Sequence, residues 1–312
     1  MNTLSNEIYN YYVDHLTELP LDKQFHFASR LYLWSGDTAM QKCLGDFKNE
    51  FTFNDQPQHA VQEVLRLAKE SPNFGSKNAG ELRRQYFERY PMLKQYVSVL
   101  FRICFMQTIY DINARQLFGE CFPLSEVETM QRSLVADTEA IAILSTHAIN
   151  FLYLYERLIK QDDASLSPQQ FLEIGESQYD LENPIHIQLL IYLYTHCIIG
   201  ESLFYSRSLP NQFRNTYQQM IVSLEKLIAA NYDSVNLDNK YEFLVCCQMV
   251  GHTTDLLARI NHEAALSVSD DGHFIIDRHN LNPQITNSTL DKSEHRNVLC
   301  IMANTPMRTT KN

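Results

Sequence analysis

Two stretches of this 312-residue chain decide how it reads: Leu144-Ser145-Thr146-His147-Ala148-Ile149 and Leu193-Tyr194-Thr195-His196-Cys197-Ile198. They share a Leu-x-Thr-His-x-Ile pattern offset by 49 positions (144 to 193). Both continue into aromatic runs, Phe151 to Tyr155 and Phe204-Tyr205. A further step of about 50 residues reaches Leu244-Val245-Cys246-Cys247, and another reaches His295, which opens the apolar run Val298 to Met302. A period near 50 fits two helices and two connections, the unit of an α-hairpin repeat, and about six such units fill the chain.

Outward from these stretches, apolar residues recur at helical spacing. Val97, Leu100, Phe101, Cys104, Phe105 and Thr108 make one broad face, and similar faces run over Ala140 to Leu158, Ile187 to Phe204, Met220 to Ala229 and Tyr241 to Ile260. Helix starts are signalled by Ser125 with Glu128, by Ser167-Pro168 with Gln170, and by Asn239 with Glu242. Only 9 glycines and 10 prolines interrupt the chain. The expected fold is therefore all-α, with the more apolar helices forming an inner layer under amphipathic ones. Such hairpins either close into an α/α toroid or stack into an open solenoid. The expected organisation is one helical-repeat domain over 1–303 and a flexible tail over 304–312. One segment departs from helical patterning: Ser267 to Ser293 carries Asp270-Asp271-Gly272, Ile275-Ile276 and Asn282-Pro283, and reads as an irregular excursion with a short hairpin.

Composition sets limits on function. Hydrophobic residues make up 45%, an ordinary globular share. The net charge of -11 comes from dispersed acidic residues, which disfavours nucleic acid or an anionic membrane surface as partner. Met1 to Leu19 is polar and acidic rather than a basic segment followed by an apolar one, and no run of about 18 apolar residues occurs. A cytoplasmic protein is expected, with no membrane partner. Its oligomeric state is not readable. Seven cysteines without compact spacing read as buried free thiols.

The repeated Thr146-His147 and Thr195-His196, together with Asp271-Gly272-His273-Phe274 and His295, give the chain its resemblance to α/α-toroid proteins. That group includes lanthionine cyclases and the terpene and prenyl-transfer toroids. The pattern is also similar to bacterial helical proteins that repeat a Thr-His helix start. The resemblance implies a ring of helix pairs around a central cavity. The activities of those enzymes do not carry over, because the chain has neither an Asp-rich cation-generating motif nor a Cys followed by a Cys-His pair.

In a closed ring, His147, His196, Cys247 and His295 converge. Three imidazoles and a thiolate are competent zinc ligands, and a site using three of them with one position open could activate water. The same histidines also read as hydrogen-bonded core residues. Asp271 and His273 are added as cavity candidates. Asp270, Asp277 and His279 crowd the same loop without the spacing of an EF-hand. The expected function is a helical protein whose polar cavity binds a small molecule or peptide without a cofactor. The alternatives are an interaction scaffold without chemistry and a zinc-dependent enzyme. No Gly-rich phosphate loop, Gly-x-Ser-x-Gly or His-Glu-x-x-His motif is present.

Overall fold

The computed structural model describes residues 2–52, 77–163, 165–276 and 289–308. Its α-helices, in chain order, are Thr3–Asp14 (α1), Leu21–Ser35 (α2), Thr38–Thr52 (α3), Lys77–Arg89 (α4), Leu93–Tyr110 (α5), Ala114–Cys121 (α6), Leu124–Ala136 (α7), Thr138–Leu144 (α8) and Thr146–Leu154 (α9), followed by Pro168–Ser177 (α10), Pro184–Glu201 (α11), Arg214–Ala230 (α12), Leu237–Val250 (α13), Leu256–Ala265 (α14) and Leu290–Ala303 (α15). The chain is all-α. Among the described residues, β-pairing is limited to one isolated antiparallel bridge, Val268 with Ile275, and no helix is long and apolar enough to cross a membrane.

Local sequence explains most boundaries. Ser167 caps α10 through a bond from Gln169 N–H, with Pro168 at the first helical position, as its sequence predicts. Two other predicted starts shift. α7 begins at Leu124, which leaves Ser125 inside the first turn. α13 is capped by Asn236, whose side chain accepts from Asn239 N–H. The continuous faces over Ala140 to Leu158 and Tyr241 to Ile260 are also interrupted. The first breaks at Ser145 (φ 45°) and passes into a π-helical turn over Tyr155–Lys160. The second ends at Gly251, whose φ of 75° is the left-handed C-terminal conformation that glycine adopts without steric cost.

Where the sequence suggests one domain over 1–303, the chain divides into two compact units: Met1–Gly45 with Gln218–Asn312, and Asp46–Tyr217. In the first, α15 packs on α13, α2 and α1. The hairpin around Val268 is tied to α15 by Asn297, whose amide oxygen accepts from Ile275 N–H (2.8 Å) while its nitrogen donates to Ile275 O (2.9 Å). Part of the expected tail is held in the same unit. Trp34 Nε1 donates to Thr305 O and Arg308 N–H donates to Trp34 O. Residues 309–312 lie outside the described residues.

In the second unit α9 and α11 pack together, with α5 on α9, α10 on α11 and α4 on α8. Buried residues surround α11 on all sides, the pattern of a core helix rather than an amphipathic surface one. Close approach sets the glycines here. A Cβ on Gly200 would come within 2.9 Å of Tyr153 Cβ, and one on Gly175 within 2.1 Å of the Tyr194 hydroxyl. That hydroxyl donates to Leu172 O. Below the π-turn lies a saturated ion pair. Arg157 and Glu201 are both fully buried, with Nε to Oε1 at 3.0 Å and Nη2 to Oε2 at 2.9 Å. Tyr217 and Arg207 donate to the same carboxylate, and the remaining Arg157 donors reach Asp162 O and Leu166 O.

Candidate functional site: a polar helix break in the second unit

The residues singled out in the sequence divide between the two units. Cys247, Asp271, His273 and His295 belong to the first; His147 and His196 belong to the second. Among the described residues no group of three or more His, Cys, Asp or Glu side chains is arranged to hold a metal ion. Local surroundings explain this residue by residue. Cys247 is buried in α13, where desolvation pushes its thiol up and keeps it protonated. His295 turns Nδ1 toward Asp238, 3.5 Å away, and its ring lies 5.6 Å from that of His26. His26 in turn is bound through Nδ1 to buried Glu294 at 2.7 Å. Asp271 accepts from the hydroxyl of Ser269 in the turn at Gly272, and this bond is the main cause of its lowered carboxyl pKa. The His273 ring stacks on Tyr11 at 4.5 Å. Asp277 and His279 lie outside the described residues.

The second unit is different, and its chemistry begins with the break at Ser145. This residue has φ 45° and ψ -107°, a conformation that is costly for a residue with a Cβ. Its hydroxyl donates to Leu189 O of α11 at 2.8 Å and so does not cap α9. The break exposes helix ends on both sides. Carbonyls that end α8 are taken by side chains from other elements: Tyr179 O–H donates to Ala142 O (2.9 Å) and Arg83 Nε donates to Ile143 O (3.1 Å). On the other side, α9 starts inside the unit with the first N–H groups of Thr146 and His147, and has no side-chain cap.

Cationic and polar side chains gather here. Arg83 comes from α4 and is only 5% exposed. Burial lowers the Arg83 pKa, and among the described residues the other groups acting on it are Tyr192 and Tyr179. His147 is 6% exposed, and its Nδ1 makes no well-formed hydrogen bond among the described residues, although the Leu144 carbonyl acts on the ring. Desolvation first, then the charges of Arg83, Lys94 and His196, push its imidazole down to about 3, and the Leu144 carbonyl opposes them. It is therefore neutral at neutral pH. One turn further along α9, Asn150 Oδ1 accepts from His196 Nδ1 at 2.8 Å. Phe87 meets the His147 ring edge-to-face at 5.1 Å, and Lys94 Nζ lies 4.1 Å from the Phe87 centroid.

Two of the six predicted site residues thus share one locality, although their settings differ. Thr146-His147 opens a helix, whereas Thr195-His196 lies inside α11, where Thr195 Oγ1 donates back to Ile191 O. Arg83, Lys94 and Asn150 were not singled out in the sequence. The signal available for Arg83 was register: Arg83 and Tyr86 on α4, continued by Tyr90 just past its end, are buried at three-and-four spacing, while neighbouring Arg84 is exposed and pairs with Glu81. Chemically, the locality offers donors and cations rather than a nucleophile. Cys197, two turns along α11 from the Leu189 contact, is buried and its thiol pKa is raised well above the usual range.

No family model, curated protein or solved structure matches this chain.

Proposed function

We propose that this protein binds a small molecule or short peptide at the Ser145 break of its second unit, without a resident cofactor. The carrying observation is His147 Nδ1, a buried ring nitrogen without a well-formed hydrogen bond among the described residues, beside a helix start whose cap residue is committed elsewhere. Buried polar atoms are almost always satisfied, and one left open beside an uncapped helix end marks the place of an absent group. A zinc enzyme is disfavoured at the same place, because Arg83 and Lys94 act on His147 and would repel a divalent cation. The surrounding frame is all-α and compatible with a toroid, and the ring-like arrangement of the hairpins belongs to this proposal. The test is a thermal-shift screen of small molecules and short peptides on the whole chain. Hits should lose their effect in both His147→Leu and Asn150→Leu. Hits that stabilise both variants as well as wild type place the binding elsewhere and sink the proposal.

A further inference from the structure

We infer that His26 and His295, on the neighbouring helices α2 and α15 of the first unit, are the two protein ligands of a late first-row divalent transition-metal ion, with water completing its shell. This site is separate from the Ser145 break, and neither reading depends on the other.

α15 packs on both α2 and α13, so consecutive residues of one helix meet both neighbours. Glu294 is fully buried and holds His26 Nδ1 at 2.7 Å, while His295 turns its own Nδ1 to Asp238, in the first turn of α13, at 3.5 Å. Burial opposes ionisation of Glu294, but His26 and Lys23 hold its carboxyl near 2; Asp238 is likewise lowered against burial by Arg296 and His295. An ionised carboxylate only accepts, so each ring carries its proton on Nδ1 and its lone pair on Nε2. A carboxylate behind the ring is how metal-ligating histidines are oriented and made more basic. Its occurrence on two rings whose centroids lie 5.6 Å apart carries the inference. Two imidazoles bound through Nε2 to one ion at about 2.0–2.1 Å and a near-tetrahedral angle have ring centres about 5 Å apart, close to that separation. The two side chains are 18% and 39% exposed, so an ion can reach them. Burial first, then Arg30, lowers the His26 imidazole to about 3, and at neutral pH a metal has no proton to displace from it. Arg30 also opposes a cation here, as Arg83 does at His147. The difference is that Glu294 and Asp238 back the two rings, and the same carboxylates hold Lys23 (3.5 Å) and Arg296 (2.5 Å). A pair of imidazoles selects by dative bonding, copper(II) above zinc and both far above magnesium. It is a smaller set than the groups of three or more that do not occur among the described residues.

The experiment is a calorimetric titration of the whole chain with zinc, copper(II) and magnesium chlorides in a non-chelating buffer at neutral pH. Wild type should take up zinc in one phase that both His26→Gln and His295→Gln lose, with copper(II) tighter and magnesium inert. Asp238→Asn keeps both ligands and should weaken zinc about tenfold, the usual effect of losing the carboxylate behind a ligating ring. His262→Gln removes an exposed histidine of α14 and should bind like wild type. Glutamine at 26 retains an N–H donor for Glu294, and circular dichroism shows whether that variant is folded. His295→Gln, at a half-exposed position, decides the matter if it is not. Equal zinc affinity in wild type, His26→Gln and His295→Gln places the ion on other histidines or thiols and overturns the proposal. So does the absence of zinc and copper(II) binding in wild type, and so does magnesium binding as tight as zinc, which would mark a carboxylate site.

Discussion

Two buried arginines of the second unit show how a core differs from a site. Arg157 is fully buried and matched at each nitrogen: Nε and Nη2 grip Glu201, Nη2 also donates to Leu166 O, and Nη1 donates to Asp162 O. Arg83 is nearly as buried and, among the described residues, holds one carbonyl and pairs with no carboxylate. The residue type is the same, and so is the all-helical surrounding. The difference lies in compensation. A saturated pair fixes one packing of α9's extension against the end of α11, whereas an unsaturated cation stores an attraction that something outside the chain can satisfy.

The comparison breaks most visibly if its compensated half is undone. Glu201→Gln leaves buried Arg157 with only the exposed Asp163 carboxylate, 3.7 Å from Nε, as counter-charge and weakens the bonds from Arg207 and Tyr217. Removing one partner of a buried pair costs about 3–5 kcal/mol, whereas replacing both by apolar residues is often close to neutral. Urea denaturation should therefore show a loss of about that size for Glu201→Gln, and a smaller one for Arg157→Met with Glu201→Leu. A loss below about 1 kcal/mol in the single variant would mean that Arg157 is no better compensated than Arg83.

The sequence made the helices legible and left the break hidden. Periodic apolar faces placed α5, α11, α12 and α13, because a helix that buries one face must repeat at three-and-four spacing. The turn at Gly272 and the bridge between Val268 and Ile275 also follow from their local residues. Ser145 does not. Its left-handed backbone is held by Leu189 O, 44 residues away in sequence, and no local rule anticipates a bond of that range. The cluster was half legible for a related reason. Repetition of Thr-His drew attention to His147 and His196, but Arg83 and Arg84 are adjacent identical residues, and only the register of α4 assigns one to the interior and the other to solvent. Cys247 and His295 belong to the other unit, which equal spacing along the chain does not reveal.

A second way to sharpen the contrast is acid. The His147 imidazole is held near 3 by burial and by Arg83, Lys94 and His196, against about 6.5 in an unfolded chain. Between those values the unfolded chain binds a proton that the folded chain refuses. Stability therefore falls as pH drops through 6.5 toward 3, with a limiting slope of about 1.4 kcal/mol per pH unit for one such group. His26, also lowered to about 3 by burial first and by Arg30, contributes separately in the other unit, so the informative quantity is the difference between wild type and His147→Gln. Wild type should lose about 1.2 kcal/mol more than the variant between pH 6 and pH 5. Parallel curves would mean that His147 is protonated in the folded protein and has an acceptor after all.

The smallest effect is the one that separates a site from a core most directly. If Arg83 were a structural residue like Arg157, replacing it would destabilise the protein. If it is an uncompensated cation awaiting a ligand, Arg83→Met should leave the ligand-free chain at least as stable, because an apolar side chain of similar length occupies the position without the desolvation cost of the guanidinium. Against that gain stands the bond to Ile143 O, whose loss costs about 1 kcal/mol and leaves a helix-end carbonyl without its partner. The balance expected is a gain of about 1 kcal/mol, measured by urea denaturation without added ligand. Binding sites are commonly kept at the expense of stability in this way. A loss of more than about 1 kcal/mol would show that Arg83 is already compensated in the free protein, and the two arginines would then be the same kind of residue.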